Sequence, residues 1–135
     1  MNTLERLLKT DPEKLEERET KVIKSKRLAF LFGEDEPVDV TIQALDIREL
    51  EFIEEFVTDK NGNANTKRYI DANFKICAKG IIDPPVNSEE LMAHYGVKSS
   101  ERVVEKIFQA EATNIATDIM ALSGADKDMT SEIKN

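Results

Sequence analysis

Apolar and polar residues alternate in the run PVDVTIQAL, residues 37–45. The apolar positions that share one face of this run are Val38, Val40, Ile42 and Ala44. Alternation with period two is typical of a half-buried strand. The preceding run TKVIKSKRLAFLF is rich in β-branched residues at its start, and GEDEP supplies turn residues between the two runs. We therefore predict an antiparallel β-hairpin over residues 20–45.

Helical periodicity predominates from residue 46 to residue 124. Asp46 and Glu49 have capping-box spacing at the start of the first predicted helix. A second helix is predicted before Asp83, and three further helices after it. The apolar positions that should face the core on the last two helices are Val103, Val104, Ile107, Phe108, Ala112, Ile115, Ile119 and Leu122. The predicted fold is α+β and mainly α: an N-terminal hairpin followed by a bundle of about five short helices.

The stretch GIIDPPVNSEELMAHYGV, residues 80–97, predicts a joint between two helices. Pro84 and Pro85 disfavour helix and remove amide donors, so the preceding helix should stop and the chain should run extended. Asn87, three residues before Glu90, is predicted to cap the next helix, and Gly96 to end it. The residues assigned to the structural joint are Pro84, Pro85 and Gly96.

The two ends of the chain differ from its centre. Residues 1–18 predict a flexible or helical arm, in which Leu4, Leu7 and Leu8 form a short stripe that could contact a partner. Residues 125–135 predict a disordered tail. Between them, residues 19–124 are expected to form one domain, with the hairpin at 20–45 and the helical part at 46–124.

Charge and composition narrow the classes of function. The 135 residues carry a formal net charge of −8, which disfavours binding to the phosphate backbone of DNA. Charged residues in MNTLERLLKT precede any apolar run long enough for a signal peptide, and no run approaches the roughly 20 residues that span a bilayer. We expect a cytoplasmic protein that binds neither nucleic acid nor membrane.

Candidate catalytic and metal-binding residues are few. The chain has one cysteine, Cys77, and one histidine, His94, which is too few for the usual zinc ligand sets. Cys77 lies with Ile70, Phe74 and Ile81 on the apolar stripe of a predicted helix, which is typical of a buried and inert thiol. Adjacent carboxylates such as Glu54 and Glu55 point in different directions on a helix. We expect no catalytic residue, no metal site and no cofactor, and hence no enzyme.

Residues 88–108 support an alternative function. Two short helices around a glycine-containing turn have the outline of a helix-turn-helix DNA-binding motif. In the second helix, however, Arg102 and Lys106 are balanced by Glu101 and Glu105. The alternative of a DNA-binding regulator therefore stays open as the weaker hypothesis.

A family resemblance emerges when these features are taken in order. The hairpin, the acidic helix, the Pro84 step in IIDPPVNSEELMAHYGV and the run VVEKIFQAEATNIATDIMALSG resemble the XkdN-like tail assembly chaperones of tailed bacteriophages. The resemblance covers residues 20–124. The chain departs from the family at the break between the last two helices, where the family typically has a glutamate after a glycine and this chain has QAEA.

The resemblance implies a phage or prophage chaperone that binds the tape measure protein and keeps it soluble until the tail tube forms. It implies the tape measure protein as a partner, the tail tube protein as a second candidate, action in the bacterial cytoplasm, and absence from the mature virion. From the exposed edges of the hairpin and the apolar run LAFLF, we also expect homo-oligomers. The residues assigned to partner binding are Leu28, Phe30, Phe32, Val38, Val40 and Ile42.

Overall fold

The computed structural model describes residues 1–124, which contain seven α-helices and a three-stranded antiparallel sheet. The strands are β1 (Thr20–Ser25), β2 (Val38–Gln43) and β3 (Ile81–Asp83). The helices are α1 (Thr3–Leu8), α2 (Lys26–Phe32), α3 (Ile47–Val57), α4 (Tyr69–Gly80), α5 (Glu89–Tyr95), α6 (Ser100–Phe108) and α7 (Glu111–Leu122). The prediction of a mainly helical α+β fold is confirmed, but the prediction of about five helices was too low.

The sheet has the order β1-β2-β3, so β2 pairs on both of its edges. Ile23 lies opposite Val40 in the first pair, and Ile42 lies opposite Ile81 in the second. The predicted antiparallel pairing of the two N-terminal strands is therefore correct. They do not form a simple hairpin, because α2 lies between them in the chain and β2 also pairs with β3. β3, contributed by the chain after α4, was not predicted.

Residues 26–32, predicted as the end of the first strand, form helix α2. The oxygen Oγ of Ser25 accepts a hydrogen bond from the amide of Leu28 at 3.0 Å, so Ser25 caps this helix. The run KRLAFLF after it contains no β-branched residue, and Gly33 ends it with a φ of 69°. The helix thus begins where the β-branched residues stop, and the strand prediction was wrong from Lys26 onward.

One hydrophobic core joins the sheet to the helices. Val40 and Ile42 of β2 are fully buried, as the alternation predicted. The predicted inward positions of α6 and α7 are also buried, with the exception of half-buried Leu122; they are Val103, Val104, Ile107, Phe108, Ala112, Ile115 and Ile119. The capping box of Asp46 and Glu49 is present at the start of α3.

Helices α4 and α7 approach each other closely at Gly80. A Cβ atom built on Gly80 would lie 2.5 Å from Cδ1 of Ile119, so any larger residue would displace that buried side chain. The buried face of α4 also includes Ala72, Phe74 and Cys77, whereas Ile70, predicted on the same stripe as Cys77, is 68% exposed.

The N-terminal arm, residues 1–18, is helical over α1 and forms a short 3-10 helix at Pro12–Glu16. None of the residues in these two helices is buried. Arg18 joins the arm to the domain through ion pairs with Asp46 at 3.0 Å and Glu49 at 2.7 Å. The predicted tail, residues 125–135, lies outside the described residues.

Among residues 1–124, no helix is both long and apolar enough to cross a bilayer.

Candidate partner-binding groove

A groove of about 550 Å³ opens on the surface beside α2. Leu28, Leu31 and Phe32 of α2 line one side, and Val38 and Asp39 at the start of β2 line the adjoining part. Leu28 is buried and forms the floor, whereas Leu31 is 44% exposed and Phe32 is 59% exposed. We call this cavity the apolar groove.

The opposite side of the apolar groove comes from residues far away in the sequence. Asp83 and Pro84 contribute from the end of β3, Leu91 and Tyr95 from α5, and Ile107 from α6. Leu91 and Tyr95 are one turn apart on α5, so both side chains face the same side of that helix. The structure thus brings together the predicted joint and part of the predicted partner-binding surface, which the sequence analysis had treated separately.

The six residues assigned to partner binding divide by burial. Leu28, Val40 and Ile42 are buried in the core, so none of them can contact a partner extensively while the fold is intact. Val38 is half buried, whereas Phe32 is exposed, and both line the apolar groove. Phe30 is 74% exposed and does not line the groove. The guanidinium carbon of Arg27 lies 5.5 Å from the centroid of its ring.

The helix before the joint stops as the prolines predicted, but the extended segment is β3, which ends at Asp83. The amide of Ser88 donates a hydrogen bond to the carbonyl of Pro85 at 2.9 Å, so the chain turns after the prolines instead of running extended. Asp83–Pro84 is a cis peptide bond, and Pro84 is half buried at the groove while Pro85 is exposed. Gly96 ends α5 with a φ of 67°, as predicted. The predicted cap at Asn87 is wrong by one residue, because it is Ser88 whose side chain accepts the hydrogen bond from the amide of Leu91.

A carboxylate from α7 holds α2 in place. The Oε2 atom of Glu111 accepts hydrogen bonds from the backbone amides of Lys26 and Arg27, each at 3.1 Å. Its Oε1 atom accepts a hydrogen bond from the hydroxyl of Ser25 at 2.5 Å. The free amides at the start of a helix favour a negative charge, so Glu111 caps α2 from a distant part of the chain.

The rim of the apolar groove is acidic. Asp39 is exposed and pairs with Lys24, and Asp83 is exposed on the opposite side. Between Phe32 and Val38, which both line the groove, the chain carries three further exposed carboxylates, Glu34, Asp35 and Glu36. An apolar floor inside an acidic rim favours a ligand with an apolar stripe and basic flanks.

Comparison with known proteins identifies the family. The family described as phage XkdN-like tail assembly chaperone protein matches residues 4–135. The chain belongs to this family. The resemblance inferred from the sequence is thereby confirmed, and the matched region also includes most of the N-terminal arm.

The fold has a counterpart among solved structures. The crystal structure of the protein yqbn, a structural genomics target, superposes on the chaperone with a TM-score of 0.57. The two sequences are 14% identical, and the match covers 80% of this chain and 88% of the other. At this identity the likeness concerns the fold alone. No curated protein gives a significant match to the chaperone sequence.

The two residues considered for catalysis or metal binding, Cys77 and His94, lie in different surroundings. Cys77 is fully buried, and its thiol donates a hydrogen bond to the carbonyl of Ala112 at 3.3 Å. Burial raises the pKa of the Cys77 thiol to about 12, which disfavours the nucleophilic thiolate. His94 is exposed on α5, where its ring contacts the edge of Tyr95. Within residues 1–124, no cluster of three potential metal ligands is present.

The two helices of the alternative DNA-binding motif are present as α5 and α6. The inward face of α6 is committed to the chaperone core. Its exposed Arg102 pairs with Glu105 at 2.5 Å and with Asp71 at 3.8 Å. The hydrogen bond to Glu105 raises the pKa of the Arg102 guanidinium. The two carboxylates also offset the positive charge of Arg102, which would otherwise be available to contact a DNA phosphate. No feature of α6 favours the DNA-binding alternative.

Proposed function

We propose that this tail assembly chaperone binds the tape measure protein through the apolar groove and keeps it soluble during tail assembly. The observation that carries the proposal is an uncovered apolar groove with an acidic rim in a member of this family. The chaperone acts by binding rather than by catalysis. It works in the cytoplasm of the bacterial host, gives up its client to the assembling tail tube protein, and is left out of the mature virion.

The shape of the apolar groove suits a helical segment of the client. An amphipathic helix binds a groove through apolar side chains spaced three or four residues apart. Phe32 and Tyr95, on opposite sides of the groove, are both partly exposed, and aromatic side chains of this kind contribute strongly to binding. A long helix-rich client with apolar stripes would otherwise aggregate through the same stripes.

Charge supports capture of the client and solubility of the complex. The net charge of −8 favours solubility of the complex and attracts basic stretches of the client. The carboxylates at the rim act over about 8 Å at physiological ionic strength, so added salt should slow the encounter.

The test is co-expression of the chaperone with the tape measure protein of the same phage. Leu31→Ser combined with Phe32→Ser removes apolar surface from the groove without touching the buried core. Phe30→Ser is the matched control, because Phe30 lies on the same helix, is more exposed and does not line the groove. We expect the double variant to leave the client insoluble and to lose it in a pull-down, while the control behaves as wild type.

Two outcomes would contradict this proposal. Equal client solubility with the wild type and the double variant would move the binding site elsewhere on the chaperone. Loss of client with Phe30→Ser alone would show that the outer face of α2, rather than the groove, makes the contact.

A further inference from the structure

Helix α1 presents an apolar stripe that its own chain leaves uncovered. Leu4, Leu7 and Leu8 are 65%, 59% and 76% exposed. Asn2 caps the helix by accepting a hydrogen bond from the amide of Glu5 at 2.8 Å. A helix of six residues is marginal in water, because the cost of nucleation outweighs the few hydrogen bonds that it gains. The stripe therefore favours docking on another apolar surface.

The arm leaves the domain at the end of the sheet that is far from the apolar groove. Arg18 is bound to Asp46 and Glu49, which follow the last residue of β2. The groove lies at the first residues of β2, Val38 and Asp39. A strand rises about 3.3 Å per residue, so the length of β2 separates the two sites by roughly 17 Å. The arm is thus attached to the domain at the end of β2 opposite the groove.

We propose that α1 of one molecule occupies the apolar groove of a second copy. The stripe of three leucines at helical spacing matches what a groove of this kind accepts. Asp39 at the rim is paired with Lys24, but Asp83 and residues 34–36 also place exposed carboxylates at or near the groove. Arg6 and Lys9 flank the stripe, against one carboxylate on α1, Glu5, so the charges are complementary. This inference rests on the proposed function in treating the groove as a site for helices.

A contact between two different surfaces has a consequence for assembly. It is heterologous: a pair of molecules joined by one such contact keeps one free arm on one copy and one free groove on the other, so further molecules can join head to tail. Client and arm compete for the groove, because both bring apolar helical stripes to the same place. Self-association would then shield the groove until a client displaces the arm.

Sedimentation of the full-length protein over a wide concentration range tests the contact. We expect the weight-average mass of the wild type to rise to about twice the monomer mass or more. The arm variant (Leu4→Ser, Leu7→Ser, Leu8→Ser) and the groove variant (Leu31→Ser, Phe32→Ser) should each remain monomeric. Leu15→Ser and Phe30→Ser are matched controls, being 74% exposed in both cases and outside the stripe and the groove, and should associate as wild type.

Mixing the two variants provides the sharper readout. The arm variant keeps its groove and the groove variant keeps its arm, so an equimolar mixture should form a dimer and nothing larger. A wild type that stays monomeric at all concentrations would overturn the inference, including the case in which the arm folds onto its own groove. Self-association that survives in the arm variant would overturn it equally, and so would a mixture that stays monomeric.

Client capture separates this inference from the proposed function. With its groove freed, the arm variant should capture the tape measure protein at least as well as wild type. Loss of client with the groove variant, together with unchanged self-association of the arm variant, would refute only the arm contact. Dimer formation on mixing, together with unchanged client capture by the groove variant, would refute only the client site.

Discussion

The interface between α4 and α7 and the apolar groove beside α2 are both apolar helix surfaces, yet one is closed and the other is open. At the closed interface, Gly80 allows Ile119 to pack against the backbone of α4, and Ile119 is fully buried. At the groove, Leu31 and Phe32 remain exposed above buried Leu28. Small residues let α4 and α7 meet, whereas the bulky side chains of α2 face a gap that their own chain does not fill.

The difference indicates a division of roles. Burial at the closed interface stabilises the fold, since apolar surface removed from water contributes about 25 cal/mol per Å². Exposed apolar side chains at the groove contribute little to folding and are available for a partner. Substitutions should therefore alter stability at one site and binding at the other.

The largest expected effect comes from the closed interface. Ile119→Ala should lower the free energy of unfolding by about 2 to 5 kcal/mol, because it leaves a cavity that the close packing at Gly80 cannot refill. Phe32→Ser at the groove should change it by less than about 0.5 kcal/mol. Urea unfolding of the two variants beside wild type measures both.

A similar loss in the free energy of unfolding for the two variants would contradict the distinction between a closed and an open surface. A small cost for Ile119→Ala would mean that α7 packs loosely, and a large cost for Phe32→Ser would mean that the groove is covered in solution.

A smaller loss of stability is expected from a substitution of Glu111, which connects the two surfaces. Glu111 belongs to α7 but caps α2, so Glu111→Ala removes the acceptor for two backbone amides and the hydroxyl of Ser25. Loss of a helix cap costs about 1 to 2 kcal/mol, and the exposed amide of Lys26 can recover part of that from water. The variant should also capture less client, because α2 carries one side of the groove.

Glu111→Gln is the matched control, since an amide oxygen can still accept a hydrogen bond but lacks the charge. We expect it to lie between wild type and Glu111→Ala in thermal unfolding. Full client capture by Glu111→Ala, in spite of lower stability, would show that α2 keeps its place without this contact.

The sequence predicted the closed surfaces better than the open one. Helical periodicity identified the buried positions Val103, Val104, Ile115 and Ile119. A helix that is buried on one face has apolar residues at a regular spacing, and this spacing is visible in the local sequence. Strand β3 was missed because its three residues follow α4 without a turn signal. Helix α2 was missed because its dense apolar residues were interpreted as part of a strand. The local signal for a helix was the capping residue Ser25 followed by a run without β-branched residues.

The groove could be predicted only in part. Phe32 and Val38 were named because they are apolar, and Pro84 because proline ends a helix, but nothing local relates these residues to one another. Leu91 and Tyr95 have a spacing that marks one helix face, although it does not specify what the face meets. Their convergence depends on the packing of α5 against α6 and of α2 against α6 and β2, which no local pattern records.

The smallest change in stability is expected from a substitution in the break between α6 and α7. This break immediately precedes Glu111, the residue that caps α2. Gln109 has a φ of 52° and a ψ of −132°, a region that is strained for a residue with a side chain and accessible to glycine. The family resemblance leads us to expect a glycine in this break. Gln109→Gly should therefore raise the free energy of unfolding by about 1 kcal/mol, since relief of strain exceeds the greater freedom of glycine in the unfolded chain. Gln109→Ala keeps the strain and should give no gain in urea unfolding. Equal stability of the two variants would mean that the backbone at Gln109 is unstrained in solution.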